Sequence, residues 1–180
     1  MSTIEIKHQK EAEKIVSAIQ NVSKEIDDDI NNANATFKAS SVLKNGLRAD
    51  IDIRDFKLTS DEPVALGGND EGPNPVEIVL GAFASCQEIV IKAYASVLDI
   101  AVEEINVEVT GNLDLRGFFN LAEVRPGYEN ITFKTTITTD EDNIEKLENL
   151  KYFAVNKCPV MDILQNPVPV EGEITYDKSK

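Results

Sequence analysis

Two cysteines carry most of the chemistry this sequence offers. Cys86 and Cys158 stand 72 positions apart in a chain of 180 residues, and no CxxC occurs. A thioredoxin-type motif and a zinc ribbon are therefore excluded. The one histidine, His8, lies in the polar N-terminal stretch, so Ser-His-Asp catalysis, Cys-His catalysis and a His-rich metal site are not expected. In a reducing compartment two such cysteines are not expected to form a static disulfide. They are either inert core thiols, since free Cys often packs as a small hydrophobe, or a redox pair. A thiol with an ordinary pKa of about 8.5 is mostly protonated at neutral pH and reacts slowly with peroxides. A reactive one needs a cation nearby, and with histidine scarce the candidate is arginine, which stays charged when buried. Local features do not rank the two thiols. Cys158 precedes Pro159 at a predicted helix start, where the macrodipole favours a thiolate. Cys86 sits in an apolar helix, where burial raises its pKa.

The composition narrows the partners. Eighteen Lys and Arg against 32 Asp and Glu leave a formal charge of −14. Nucleic acid and anionic membranes both ask for a basic face, so neither is expected as a partner. At 42% hydrophobic the chain can build a core. The longest apolar runs are too short to span a bilayer. The charged N-terminus lacks a secretory apolar stretch, so a cytoplasmic location is expected. The length suits one domain plus an arm.

The elements that must position the thiols follow from periodicity. Residues 4–30 read as an amphipathic helix, with Ile4, Ile15, Ile19, Val22 and Ile26 at helical spacing, ending in an acidic run and an Asn-rich linker. The division expected is an arm over 1–34 and a domain over 35–180. Thr36–Lys38, Ser41–Leu43, Leu47–Ile53 and Phe56–Thr59 read as antiparallel strands, with Asn45-Gly46 as a hairpin signal. Arg48 and Arg54 lie in this region, where an arginine is most often a surface ion-pair residue. A Gly- and Pro-punctuated segment leads to Asn74, a good N-cap, with Pro75 at the first helical position and Glu77 placed for a capping box. The helix from Pro75 to about Leu98 is apolar on nearly all sides apart from Gln87, Glu88 and Lys92, so it is expected at the centre of the fold. Strands follow around 105–111 and 131–138, then a helix over 140–156 with Ile144, Leu147, Leu150 and Phe153 inward. A short helix begins at Pro159, and Val168–Val170 and Glu173–Tyr176 suggest a last strand. That order is α+β rather than doubly wound.

The stretch Gly67-Gly68 through Gly72-Pro73-Asn74-Pro75 to Cys86 resembles the signature of the OsmC/Ohr family of thiol-dependent hydroperoxide reductases, in its OsmC-like branch. Asp114-Leu115-Arg116-Gly117, Arg125-Pro126-Gly127-Tyr128, Cys158-Pro159-Val160 and Asn166-Pro167-Val168 continue it in order. The resemblance covers roughly 35–177. It implies antiparallel sheets wrapped around central helices in an intertwined homodimer, here with an extra N-terminal helix, and active sites at the subunit interface. It implies that Cys86 attacks the hydroperoxide and Cys158 resolves the sulfenic acid, so it decides the ranking. An Arg from the first hairpin assists; Arg48 is the first choice and Arg54 the second. The assisting Glu directly follows Asn-Pro in the well-studied members. Here Val76 holds that place and Glu77 comes one later, a rotation of about 100° on a helix, so Glu77 is either catalytic or a helix cap. Glu77 and Cys86 lie nine residues apart, about 13 Å along one helix, which asks for a bridging Arg or a second chain. No bound cofactor is expected. The partners implied are a second copy, a small organic hydroperoxide and an external dithiol reductant, with a lipoylated protein as one candidate. A second reading is a non-catalytic protein of the same fold that binds a small hydrophobic ligand in a stress response.

Overall fold

The structure is a computed structural model that describes residues 3–178, and side chains over 9–178. The expectations for His8 and for Ile4 as part of the helical stripe concern side chains outside that range. Helix α1 spans Thr3–Asp28. Its half-buried Ala12, Ile15 and Val16 face the body of the protein, and it packs against the central helix. Ile19 and Val22 further along it are exposed. The Asp29 carboxylate caps a short turn of 3-10 helix, Ile30–Ala33, by accepting the Asn31 N–H at 2.9 Å.

Three strands, β1 (Ser40–Leu43), β2 (Ala49–Ile53) and β3 (Phe56–Ser60), form an antiparallel meander. The first connection is a five-residue loop, 44–48, because Leu43 pairs with Ala49. Gly46 takes the left-handed conformation there, at φ 62°. Two strand expectations therefore fail: 36–38 is irregular, and Leu47 and Arg48 lie in the loop rather than on a strand. The second connection is a tight turn through Arg54, at φ 56°, with no glycine to announce it.

Helix α2, Pro75–Val97, starts with a complete capping box: the Glu77 N–H donates to Asn74 Oδ1 at 2.9 Å and the Asn74 N–H donates to Glu77 Oε2 at 2.8 Å. Strands β4 (Glu104–Leu113) and β5 (Tyr128–Thr138) pair antiparallel, and β4 lies along α2. A single helical turn, α3 (Leu115–Phe118), joins them, capped by Asp114. Helices α4 (Ile144–Asn156) and α5 (Pro159–Gln165) pack on α2 as well. The core has two clusters along α2. One centres on Ile91, Ala95, Leu150 and Ala154, the other on Phe83, Cys158 and Met161.

Four expectations need correction. Helix α2 is central but not buried all round: its buried stripe is Phe83, Gln87, Ile91 and Ala95, while Val76, Val79, Val97 and, at 69% exposure, Ile89 lie open. Gln87, read as a polar exception, is only 1% exposed, because its amide donates to the Ala154 carbonyl at 2.9 Å and so ties α2 to α4. Ile144 is exposed at the first turn of α4 rather than inward. Among the described residues, 167–178 form no strand; they carry no regular secondary structure, and Val170, Ile174 and Tyr176 are exposed. The sheet of β1–β3 is equally uncovered, with Val42, Leu43 and Phe56 open to solvent.

Candidate active site

Helix α2 carries Cys86 at the start of its fourth turn, and Cys158 is the residue before α5. Pro75 and Pro159 at the two helix starts fix where each cysteine falls, since proline is accepted at a first helical position but not further in. The two thiols meet. The Cys158 Sγ–H donates to Cys86 Sγ at 3.2 Å, and both cysteines are free. A disulfide bond is about 2.05 Å long, so the sulfurs need approach by only about 1.2 Å to bond. Cys158 is 2% exposed; Cys86 is half-buried and more accessible. The accessible sulfur therefore sits in front of the buried one.

The local electrostatics of Cys86 are not those of an activated thiol. Burial pushes its pKa up and Cys158 pushes in the same direction; the backbone N–H of Val160, which bonds to the sulfur, opposes them. Among the described residues no charged side chain contributes. The first turn of α5 thus supports the sulfur of Cys86, where a reading of the sequence alone had credited it to Cys158.

Arg48 is elsewhere occupied. Its Nη2 and Nε contact Asp50 Oδ1 at 3.0 and 3.1 Å, and its Nη1 contacts Glu71 Oε2 at 2.6 Å. Arg54 sits at the β2–β3 turn with its guanidinium 5.0 Å from the centre of the Phe56 ring. Glu77 is engaged in the capping box. Within one chain the structure therefore brings Cys86 and Cys158 together, and leaves Arg48, Arg54 and Glu77 with other partners. Sequence reasoning missed Asp61. It is 1% exposed and holds the Gly-rich segment. Its carboxylate accepts the backbone N–H groups of Glu62 and Asn69, each at 2.9 Å, and of Glu71 at 3.3 Å. Burial works against its charge, but those three bonds outweigh it and keep the carboxyl below the usual range. Gly68 is required there, because a Cβ would stand 1.8 Å from the Glu62 carbonyl oxygen. Asp61 thereby places Glu71, and Glu71 places Arg48.

A cleft of about 350 Å³ opens beside the thiols. Phe83 and Met161, which pack with Cys158 in one cluster, form its inner wall. Tyr128 closes one side: its hydroxyl donates to the Val76 carbonyl at 2.9 Å, and its ring lies so close to Gly111 that a Cβ there would stand 2.5 Å from it.

A family model described as OsmC-like protein matches residues 67–173. No curated protein sequence matches the chain. Among solved structures, an OsmC-like protein from Mycoplasma pneumoniae is 18% identical, covers 74% of this chain and 90% of its own, and superposes with a TM-score of 0.63. An organic hydroperoxide resistance protein from Legionella pneumophila is 22% identical over 73% of this chain and 90% of its own, with a TM-score of 0.53. A Vibrio cholerae protein described as a putative organic hydroperoxide resistance protein, with captopril in one of its active sites, is 18% identical over 76% of this chain and 90% of its own, with a TM-score of 0.53. At these identities the likeness is one of fold: α+β, with small antiparallel sheets against helices.

Proposed function

This chain belongs to the OsmC-like protein family, and from that premise we propose that it is a thiol-dependent peroxidase acting on organic hydroperoxides, as an intertwined homodimer. The observation that carries the proposal is the pair of free thiols 3.2 Å apart, one accessible and one buried. The Cys86 thiolate attacks the terminal oxygen of the hydroperoxide, the O–O bond breaks, and the alkoxide leaves and is protonated to the alcohol. Cys86 is then a sulfenic acid. Cys158 attacks its sulfur, an S–S bond forms, and water leaves. An external dithiol, a lipoylated protein being one candidate, reduces the disulfide and is itself oxidised.

The same reading gives the exposed apolar surfaces a role. In the dimer the open face of α2, the sheet of β1–β3 and the exposed 167–178 segment meet the second copy. The second copy also supplies the cation that Cys86 lacks, with its Arg48 as the candidate. Glu77 stays a helix cap, or reaches the partner's site as an assisting carboxylate. Residues 1–34 remain an arm on a domain over 35–180.

Free thiols are counted before and after one equivalent of cumene hydroperoxide. Loss of both thiols, with one molecule of alcohol formed, is expected; two surviving thiols under excess peroxide overturn the reading. One observation favours the alternative of a ligand-binding protein without catalysis: burial raises the Cys86 pKa, and no cation among the described residues answers it. Steady-state peroxide consumption with a dithiol separates the two.

A further inference from the structure

Arg125 is the residue for which neither the fold nor the thiol chemistry has a use. It lines the 350 Å³ cleft, yet it makes no ion pair among the described residues, in a chain with 32 acidic residues and a net charge of −14. Its backbone is held in place. A Cβ at Gly117 would stand 2.5 Å from the Arg125 carbonyl oxygen, so α3 folds directly onto it, and Pro126 follows at once. Tyr128, Glu129, Asn130 and Gln165 also line the cleft, and the remaining wall is apolar. Phe83 and Phe133 meet edge-on with ring centres 5.2 Å apart, and Ile131, Met161 and Leu164 complete the wall. Its volume is at the small end of the roughly 300–1,000 Å³ typical of ligand pockets.

We propose that this cleft binds a small amphiphilic anion, its acidic head on the Arg125 guanidinium and its apolar tail against Phe83, Ile131, Phe133, Met161 and Leu164. A guanidinium offers paired N–H donors to a carboxylate or a phosphate alike, so the head group is either of these. Glu129, also on the rim, opposes an anion and moderates the affinity. The tail would end at Phe83 and Met161, the residues that pack on Cys158. The inference concerns binding and does not depend on peroxide turnover.

Calorimetric titration of the reduced full-length protein with octanoate, octyl phosphate, octanol and octylammonium tests it. Both anions are expected to bind more tightly than octanol by up to about fivefold, the most that an exposed charge pair of about 1 kcal/mol supplies. The tighter of the two identifies the head group. Octylammonium should bind most weakly. Arg125→Gln should erase the preference while leaving octanol affinity unchanged, and Arg125→Lys should keep most of it. Glu129→Gln should tighten both anions, a gain that misfolding cannot imitate. Leu164→Trp, which fills the cleft, should weaken every ligand. Anions binding no better than octanol, a preference that survives Arg125→Gln, indifference to Leu164→Trp, or no saturable binding of any amphiphile would each overturn the proposal.

Discussion

The source of the charge that activates Cys86 can be tested through Arg48→Ala. In one chain Arg48 is taken up by Asp50 and Glu71, and among the described residues no charged side chain acts on the Cys86 sulfur, whose pKa burial raises. An ordinary thiol of pKa about 8.5 is only about 3% ionised at pH 7, and Cys86 starts below that. A guanidinium from the partner at about 4 Å, in an effective dielectric near 20, contributes about 4 kcal/mol. That is about three pKa units, enough to raise the thiolate fraction at pH 7 about a hundredfold. A more stable thiolate is also a poorer nucleophile, which takes back roughly one order of magnitude. Arg48→Ala should therefore slow single-turnover oxidation of Cys86 about tenfold at pH 7, and the order should reverse once pH passes the raised thiol pKa, where both thiols are ionised and the variant's is the more basic nucleophile. Stopped-flow oxidation by tert-butyl hydroperoxide and alkylation by iodoacetamide, each from pH 5 to about 11, give the two profiles. If wild type and Arg48→Ala superimpose in both, the partner's Arg48 is not the activating cation. A matching loss in Arg54→Ala alone would move the role to the β2–β3 turn.

Peptide mapping without reduction should find one intramolecular Cys86–Cys158 disulfide after hydroperoxide treatment; Cys158→Ser should stop at a trappable sulfenic acid and then overoxidise, and Cys86→Ser should stay unreactive. The opposite pattern would exchange the two roles. Asp61→Asn should lower the melting temperature at pH 7, because the three N–H donors lose a charged acceptor. The native Asp61 carboxyl is depressed, so the stability it contributes is present above about pH 4 and lost as pH falls through its folded value. The wild-type advantage should shrink in that window, and a difference independent of pH would contradict the assignment. Ile89→Glu, on the open face of α2, should turn a dimer into a monomer by light scattering; a native monomer at micromolar concentration would remove the shared-site proposal.

Local rules made the central helix legible. Asn74, Pro75 and Glu77 predict its start to the residue, and the capping box is complete. Pro159 does the same for α5. What failed has one physical source: periodicity reports how apolar a surface is, not which molecule covers it. Helix α2 is apolar on nearly all sides, yet only the stripe through Phe83, Gln87, Ile91 and Ala95 is buried within the chain. The tail with Val170 and Ile174 has strand composition, yet it has no strand beside it. Gln87 shows the converse, a polar residue whose burial depends on a carbonyl 67 positions away.

The site divides in the same way. The meeting of Cys86 and Cys158 is a long-range contact that no local pattern encodes, and it entered through the ordered resemblance of motifs along the chain. Asp61 was hidden because its partners are backbone amides, which leave no trace in residue types. Arg48 was legible as a candidate but not as a group already paired with two carboxylates. This last point bears on mechanism. An arginine held by Asp50 and Glu71 keeps its charge but offers a thiolate only the edge those carboxylates leave free. Loosening Glu71, which the Asp61 loop fixes, would raise the positive potential Arg48 presents. If the partner's Arg48 serves Cys86, Glu71→Gln should therefore speed the oxidation of Cys86 at pH 7, opposite in sign to Arg48→Ala. A structural role for the Arg48–Glu71 bridge predicts a slower reaction and a lower melting temperature in both variants. The sign of the Glu71→Gln effect thus decides between an arginine that is restrained for catalysis and one that only closes a loop.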